Sequence, residues 1–131
     1  MARVVVLGAG ISGYTAASFL RKWLGKSHDV IVVSPNSKYN WIPSNIWVGV
    51  GKMAPDAVLR PLAPIYSKVG IEFHQALATS IHPEGSDEFP SPFVRLKYTD
   101  SAREGQQADI AYDYLINSTG PKLKFEATEG L

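Results

Sequence analysis

The residues with the clearest chemical meaning form the turn Gly8-Ala9-Gly10-Ile11-Ser12-Gly13, which follows the β-branched run Arg3–Leu7 and opens a helical pattern. In such a G-x-G-x-x-G turn, the first glycine allows a tight turn, the second lets the backbone approach a pyrophosphate, and the third lets helix and strand pack closely. The helix N-terminus would present free N–H groups and a positive dipole end to the phosphates. The motif predicts dinucleotide binding; the alternative is a glycine turn with only a structural role.

A second candidate contact lies at the end of the next apolar run, Asp29–Ser34, where an acidic residue is expected to bind the adenine-side ribose. The chain has Ser34, Pro35 and Asn36 there. A hydroxyl or amide can bond a ribose hydroxyl, although without the strength of a carboxylate. There is no arginine beside Ser34 to hold a 2′-phosphate. The alternative is a strand-ending Ser-Pro turn that contacts no ligand.

The third candidate is the apolar run that ends in Ser118-Thr119-Gly120. It would bring a backbone of small residues to the carboxyl edge of a parallel sheet, where doubly wound folds bind ligands. Alone this ending carries little information, because apolar strands also end in glycine for structural reasons.

The elements that must position these residues begin with a β-α-β unit. Strand Arg3–Leu7, a helix from Ser12 to Lys26 and strand Asp29–Ser34 predict a right-handed parallel crossover. The segment from Pro35 to Gly51 is too rich in Pro, Asn and Gly to be one regular element. Its Trp41 and Trp47 suit either a flavin or quinone pocket or packing on the sheet.

Beyond it we predict a short helix from Pro61 to Val69, ended by Gly70, and then a series of strands. The predicted strands are Ile71–Gln75, Thr79–His82, Phe93–Thr99 and Ile110–Asn117. This order predicts an α/β fold: a Rossmann-like region with a parallel sheet, a βαβ start and a small antiparallel excursion.

The composition excludes several classes of function. With 131 residues, 45% hydrophobic and 19% charged, the chain is expected to be one globular domain. A net charge of +1 argues against a nucleic-acid partner, and the absence of cysteine excludes a disulfide scaffold or a cysteine nucleophile within the chain. Its three histidines lack metal-ligand spacing, so we expect no metal site, and we assign no catalytic residue. No apolar run reaches the roughly 18 residues of a membrane span.

Three stretches together resemble the FAD-binding N-terminal region of sulfide:quinone oxidoreductases, flavoproteins of the two-dinucleotide-fold disulfide reductase superfamily. They are Gly8–Gly13, Tyr112–Gly120 and Pro43-Ser44-Asn45-Ile46-Trp47-Val48-Gly49-Val50-Gly51. The resemblance covers essentially the whole chain. The first two stretches identify only the superfamily. The loop Ile42–Gly51 and the ending Gly120-Pro121-Lys122-Leu123 favour the sulfide:quinone enzymes over type II NADH dehydrogenases. Ser34 agrees, because the NADH enzymes more often carry an acidic residue there.

The resemblance implies a set of FAD contacts. The pyrophosphate would be held by Gly8, Gly10, Ile11, Ser12 and Gly13. By the same resemblance, the ribose would lie beside Ser34 and Pro35, and the flavin would lie near Pro43. The adenine would contact the backbone of Ala78, and the phosphate–ribose arm would contact Thr119 and Gly120.

The activity implied by the resemblance is oxidation of sulfide, with two electrons passing to FAD and then to a membrane quinone. A redox-active cysteine pair would do the sulfur chemistry. Because the sequence stops at Leu131 in the middle of the family's pattern, we expect residues 1–131 to be a fragment of a longer flavoprotein and inactive alone.

The full protein is expected in the cytoplasm or peripherally on the cytoplasmic membrane, through an anchor beyond this sequence. The open edges of a partial sheet allow homo-oligomerisation. The alternatives are a type II NADH:quinone dehydrogenase, which would lack paired cysteines downstream, and a non-catalytic nucleotide-binding module.

Overall fold

The structure, a computed structural model, describes residues 1–130. In chain order its strands and α-helices are β1 (Arg3–Leu7), α1 (Ile11–Leu24), β2 (Asp29–Ser34), β3 (Lys38–Asn40), α2 (Asn45–Gly49), β4 (Leu59–Pro61), α3 (Leu62–Val69), β5 (Glu72–His82), β6 (Phe93–Tyr98), β7 (Gln107–Ala111) and β8 (Tyr114–Asn117). Six of the strands form one sheet in the order β7-β6-β5-β2-β1-β8, and β3 pairs with β4 separately.

The parallel part of the sheet consists of β5, β2, β1 and β8. Val5 of β1 pairs with Ile31 of β2 on one side and with Leu115 of β8 on the other. The β-branched residues of β1 and β2 are buried on both faces, which is the environment of central parallel strands. This confirms the predicted β-α-β unit, and the bounds of both strands are those predicted.

Strand β5 joins the parallel sheet to the antiparallel excursion. Its first residues, Glu72–Gln75, pair parallel with β2, and Ala76–His82 pair antiparallel with β6. The register shifts between Ala78 and Ser80 without ending the strand. The prediction of two separate strands was therefore wrong, because a local bulge and not a turn interrupts the ladder.

The prediction of one continuous strand over Ile110–Asn117 was also wrong, because parts of two strands occupy that segment. β7 ends at Ala111 in the antiparallel ribbon, which consists of β6, β7 and the second half of β5. β8 begins at Tyr114 in the parallel sheet. Asp113 lies at the break: its N–H donates to the Arg3 carbonyl at 2.9 Å, and its Oδ2 accepts from the Arg3 N–H at 2.6 Å. These two bonds redirect the chain from one partner strand to another.

Two apolar clusters pack on opposite faces of the sheet. One contains Val5, Val33 and Leu96 and lies between the parallel strands and the antiparallel ribbon. The other contains Val6, Val32, Ala17 of α1, and Leu62 and Tyr66 of α3. Alternate residues of the central strands therefore supply two cores, and α1 is held against the second one.

The helices largely follow the predictions. Helix α1 ends at Leu24, and a 3₁₀ turn at Gly25–Ser27 completes the predicted span. Helix α3 ends at Gly70, whose φ of 75° is the left-handed cap conformation. On α1, Phe19 and Trp23 are 46% and 71% exposed, so these two aromatic residues do not enter the core.

Residues 35–61 form no single regular element, as was predicted for residues 35–51. It contains β3 and β4, which pair antiparallel, and several short helical turns including α2. Trp41 and Trp47 are both about half exposed there. Within residues 1–130, no helix has the length and apolar character required to cross a membrane.

Candidate dinucleotide-binding site

The glycine turn lies at the carboxyl end of β1, in the centre of the parallel sheet. Gly8 has a φ of 93°, and its N–H donates to the Val33 carbonyl at 2.8 Å, which ties the turn to the end of β2. Gly10 caps α1 in an extended conformation, and a Cβ built on it meets nothing within 4 Å. Gly10 therefore presents bare backbone to open space, as close approach of a pyrophosphate requires.

Gly8 and Gly13 have a different role, because both are enclosed. A Cβ on Gly8 would overlap the Ser118 carbonyl group, lying 2.8 Å from its carbon. A Cβ on Gly13 would overlap the Gly8 carbonyl oxygen and lie 2.6 Å from Ser118 Oγ. The first and third glycines are therefore packing requirements, and only the second faces the space available to a ligand.

The N-terminus of α1 is uncapped. No side chain bonds to it and no acidic residue lies in its first turn, while the Tyr14 N–H is bonded to the Gly10 carbonyl at 2.9 Å. The N–H groups of Ile11, Ser12 and Gly13 precede this first helical bond, and Ile11 and Ser12 are exposed. They give the turn a positive potential suited to an anion.

The ending of β8 lies directly against the glycine turn. The Ser118 hydroxyl donates to the Leu7 carbonyl at 2.7 Å, and the Ser118 N–H donates to the same oxygen at 2.8 Å. Asn117 Oδ1 accepts from the Thr119 hydroxyl at 2.9 Å and from its N–H at 3.3 Å. Thr119 and Gly120, which follow Ser118, are exposed, and Gly120 adopts a φ of 74°.

Ser118 and Asn117 were not assigned as site residues from the sequence. They lie inside the small polar run Asn-Ser-Thr-Gly, which indicated a strand ending but not which of its side chains would bond to β1. Their bonds place Thr119 and Gly120 beside the glycine turn.

The turn after β2 completes this edge of the sheet. Ser34 is 4% exposed, and its hydroxyl oxygen accepts a long bond of 3.4 Å from the Asn36 N–H. Pro35 is exposed, and its carbonyl accepts from the Thr99 hydroxyl at 2.8 Å. Thr99 is a third residue not assigned from the sequence, because it follows β6, 64 residues further along the chain.

The other two predicted site residues lie in β5 and in the segment that follows β3. Ala78 lies within β5 opposite Leu96 and is partly buried. Pro43 is exposed in a 3₁₀ turn, Ile42–Ser44. Strand β3, which precedes this turn, contacts α1 through the rings of Tyr39 and Tyr14, whose centroids lie 5.1 Å apart.

Beneath this aromatic contact, Tyr66 of α3 is completely buried, and its hydroxyl has no hydrogen-bond partner among the described residues. Burial, reinforced by Tyr14 and Tyr39, raises the pKa of Tyr66 far above that of an ordinary tyrosine. The Tyr66 phenol therefore keeps its proton at neutral pH. Residues 1–130 contain no group of three or more His, Cys, Asp or Glu side chains arranged to hold a metal.

Comparisons with known proteins agree with this geometry, although no family model matches the chain. The sulfide-quinone reductase of Aquifex aeolicus is 32% identical over 124 residues, which are 95% of this chain and 25% of that protein. The mitochondrial external alternative NAD(P)H-ubiquinone oxidoreductase B4 of Arabidopsis thaliana is 30% identical over 129 residues, 98% of this chain and 21% of that protein. The chain spans about a quarter of the length of these relatives.

The X-ray structure of the Aquifex aeolicus sulfide:quinone oxidoreductase superposes with a TM-score of 0.75 and 29% identity, over 95% of this chain and 26% of that one. The fold and the glycine turn thus define the class: a Rossmann-like α/β region of the kind found in this oxidoreductase. Within that class the chain is similar to sulfide:quinone oxidoreductases, which confirms the resemblance seen in the sequence. It is also similar to NAD(P)H–quinone oxidoreductases, the alternative considered there.

Proposed function

We propose that this chain binds FAD and is the FAD-binding region of a longer flavoprotein oxidoreductase. The observation that carries the proposal is the open backbone of Gly10 at the uncapped N-terminus of α1. On either side of it lie the Ser34–Pro35 turn and the exposed ending at Thr119 and Gly120. A bound FAD would supply an electron acceptor and donor; the residues of this chain would hold it.

The proposed contacts divide by chemistry. The N–H groups of Ile11 and Ser12 would donate to the pyrophosphate oxygens beside Gly10, and the enclosed glycines Gly8 and Gly13 keep the helix close enough to do so. The remaining contacts are proposed by position only: the ribose at Ser34 and Pro35, the phosphate–ribose arm at Thr119 and Gly120, the adenine at the Ala78 backbone and the flavin near Pro43.

For the longer protein we propose sulfide:quinone reductase activity, with sulfide as electron donor and a membrane quinone as acceptor. The similarity to the Aquifex aeolicus enzyme and the loop Ile42–Gly51 support this assignment. Because this chain has no cysteine, the cysteine pair for the sulfur chemistry would lie elsewhere in that protein. We propose a peripheral location on the cytoplasmic membrane, where the quinone is available, and self-association of the protein.

A second candidate is an NAD(P)H:quinone reductase, which the similarity to the Arabidopsis thaliana protein favours. The encoding gene distinguishes the two. A second dinucleotide-type domain with paired cysteines beyond codon 131 would support sulfide oxidation, whereas a second glycine motif without cysteines would support NAD(P)H oxidation. A stop codon immediately after codon 131 would contradict both and favour a non-catalytic nucleotide-binding module.

Flavin binding is tested by Gly10→Glu, measured as FAD affinity by titration calorimetry. The new carboxylate would face the pyrophosphate, so we expect FAD affinity to fall below detection. An acidic residue at a helix N-terminus does not oppose the helix dipole, so loss of binding would not reflect loss of α1. Ser18→Glu is the matched control, because Ser18 is exposed on α1 further from its N-terminus. Normal FAD affinity in a folded Gly10→Glu chain would overturn the assignment.

A further inference from the structure

Thr99 joins three segments that are distant in sequence. It follows β6, and its hydroxyl donates to the Pro35 carbonyl at 2.8 Å and to the Gln75 carbonyl at 3.2 Å. Its N–H also donates to the Gln75 carbonyl, at 3.0 Å. Gln75 pairs with Ser34 in the parallel sheet. One side chain therefore connects the end of β6, the middle of β5 and the turn that follows β2.

The turn held by Thr99 has weak local support. Pro35 has no N–H to donate, and the local bond from the Asn36 N–H to Ser34 Oγ is long, at 3.4 Å. The next anchor along the chain is the Ser37 carbonyl, which accepts from the Leu62 N–H at 2.9 Å. Between Ser34 and Ser37, the orientation of the backbone thus depends on the Thr99 bond to the Pro35 carbonyl.

We propose that Thr99 is a positioning residue that fixes the Ser34–Pro35 turn in the orientation needed to contact the adenine-side ribose of a bound dinucleotide. This inference rests on the proposed function, because it requires the ligand to extend from Gly10 to this turn. Thr99 acts through Pro35. Thr99 does not contact the glycine turn. Through its bond to Pro35, the end of β6 thereby contributes to ribose selection.

The test compares Thr99→Val, Thr99→Ser and Thr79→Val in the full chain. Valine keeps the shape of threonine and removes the hydroxyl, and serine restores it. Thr79 is the matched control: its hydroxyl donates to the Arg95 carbonyl at 3.1 Å, so it also joins β5 to β6 but does not contact the Pro35 turn. The ligands are ADP, 2′-deoxy-ADP and inorganic pyrophosphate, each titrated by calorimetry.

We expect Thr99→Val to weaken ADP binding roughly fivefold, the effect of one net hydrogen bond. It should also abolish the preference for ADP over 2′-deoxy-ADP while leaving pyrophosphate affinity unchanged. Thr99→Ser should restore both properties, and Thr79→Val should resemble the parent chain. Equal losses in Thr99→Val and Thr79→Val, or a parallel loss of pyrophosphate affinity, would overturn the positioning role.

Amide hydrogen exchange without ligand separates this inference from the proposed function. Thr99→Val should accelerate exchange at Asn36 and Ser37 more than Thr79→Val does, whatever the chain binds. If exchange changes as expected and the parent chain binds neither ADP nor FAD, the proposed function fails and ribose positioning fails with it. If ADP binds and exchange at Asn36 and Ser37 is unchanged, only the role of Thr99 is refuted.

Discussion

Gly8 and Ser118 lie so close together that a side chain on Gly8 would overlap the Ser118 carbonyl group. Ser118 in turn donates its hydroxyl and its N–H to the Leu7 carbonyl, just before Gly8. The glycine turn and the Ser-Thr-Gly ending were two separate motifs in the sequence. In the structure they are one packed unit, because each limits the conformation and the volume of the other.

Gly13→Ala should destabilise the chain by about 1–3 kcal/mol, because the new methyl group would overlap the Gly8 carbonyl and crowd Ser118. Gly10→Ala should cost less than about 1 kcal/mol, since its methyl group enters open space and only the helix cap is affected. Urea unfolding followed by circular dichroism measures both. Equal costs for the two variants would contradict the distinction between enclosed and open glycines.

Ser118→Ala should lower the free energy of unfolding by about 1 kcal/mol, because it removes the side-chain bond to the Leu7 carbonyl. Ser101→Ala is a suitable control, since Ser101 is exposed in the turn after β6. The same urea titration compares the two variants. A Ser118→Ala chain as stable as the control would show that the backbone bond from the Ser118 N–H suffices to hold β8 against the glycine turn.

Tyr66→Phe should leave stability at neutral pH unchanged or slightly higher, because the removed hydroxyl has no protein partner. The two chains should differ at alkaline pH. Burial raises the pKa of Tyr66 above the ordinary value of about 10, so at higher pH the unfolded chain loses this proton and the folded chain keeps it. The Tyr66 contribution therefore lowers stability as pH rises above about 10, and Tyr66→Phe should remove that loss.

Thermal unfolding between pH 7 and pH 11 measures this difference. Tyr66→Ala serves as the packing control and should cost about 3–5 kcal/mol at neutral pH, because it empties a fully buried aromatic site. Identical alkaline profiles for the parent chain and Tyr66→Phe would contradict the assignment of a raised phenol pKa.

Asp109→Asn should remove an acid-dependent part of the stability. Arg95 on β6 donates to both carboxylate oxygens of Asp109 on β7, each at 2.8 Å, and this hydrogen bonding lowers the pKa of Asp109. A lowered carboxyl pKa stabilises the fold above the ordinary aspartate pKa of about 3.9, and the gain is lost as pH falls through the folded value. Both groups are solvent-exposed, so we expect a small effect.

Thermal unfolding from pH 2 to pH 7 at low salt is the measurement. The difference between the parent chain and Asp109→Asn should shrink as the pH falls below 4, and added salt should reduce it. A stability difference that stays constant across this pH range would contradict the lowered pKa of Asp109.

The parts of the fold that the sequence predicted are those set by local patterns. Strands β1 and β2 are continuous β-branched runs, and α3 ends at a glycine in the left-handed conformation. The parts that it missed depend on partners far along the chain. β5 continues through Ala78 because β6 pairs with both sides of the bulge, and the break at Asp113 is made by bonds to Arg3.

The same division applies to the site. The glycine turn was visible because its residue types are required by its own backbone and by close packing. The sequence did not show the bonding roles of Ser118, Asn117 and Thr99, since each is a common polar residue whose role comes from a carbonyl group or side chain that the fold brings to it.

The pairing of β1 with β8 has a consequence for biosynthesis. The glycine turn leaves the ribosome before Ser118, against which it packs and which is translated more than a hundred residues later. Such non-local pairing has a high entropic cost and is formed slowly. During synthesis the emerging chain therefore carries an incomplete sheet edge at the glycine turn, and this edge is complete only when the strand ending in Asn117 has joined the sheet.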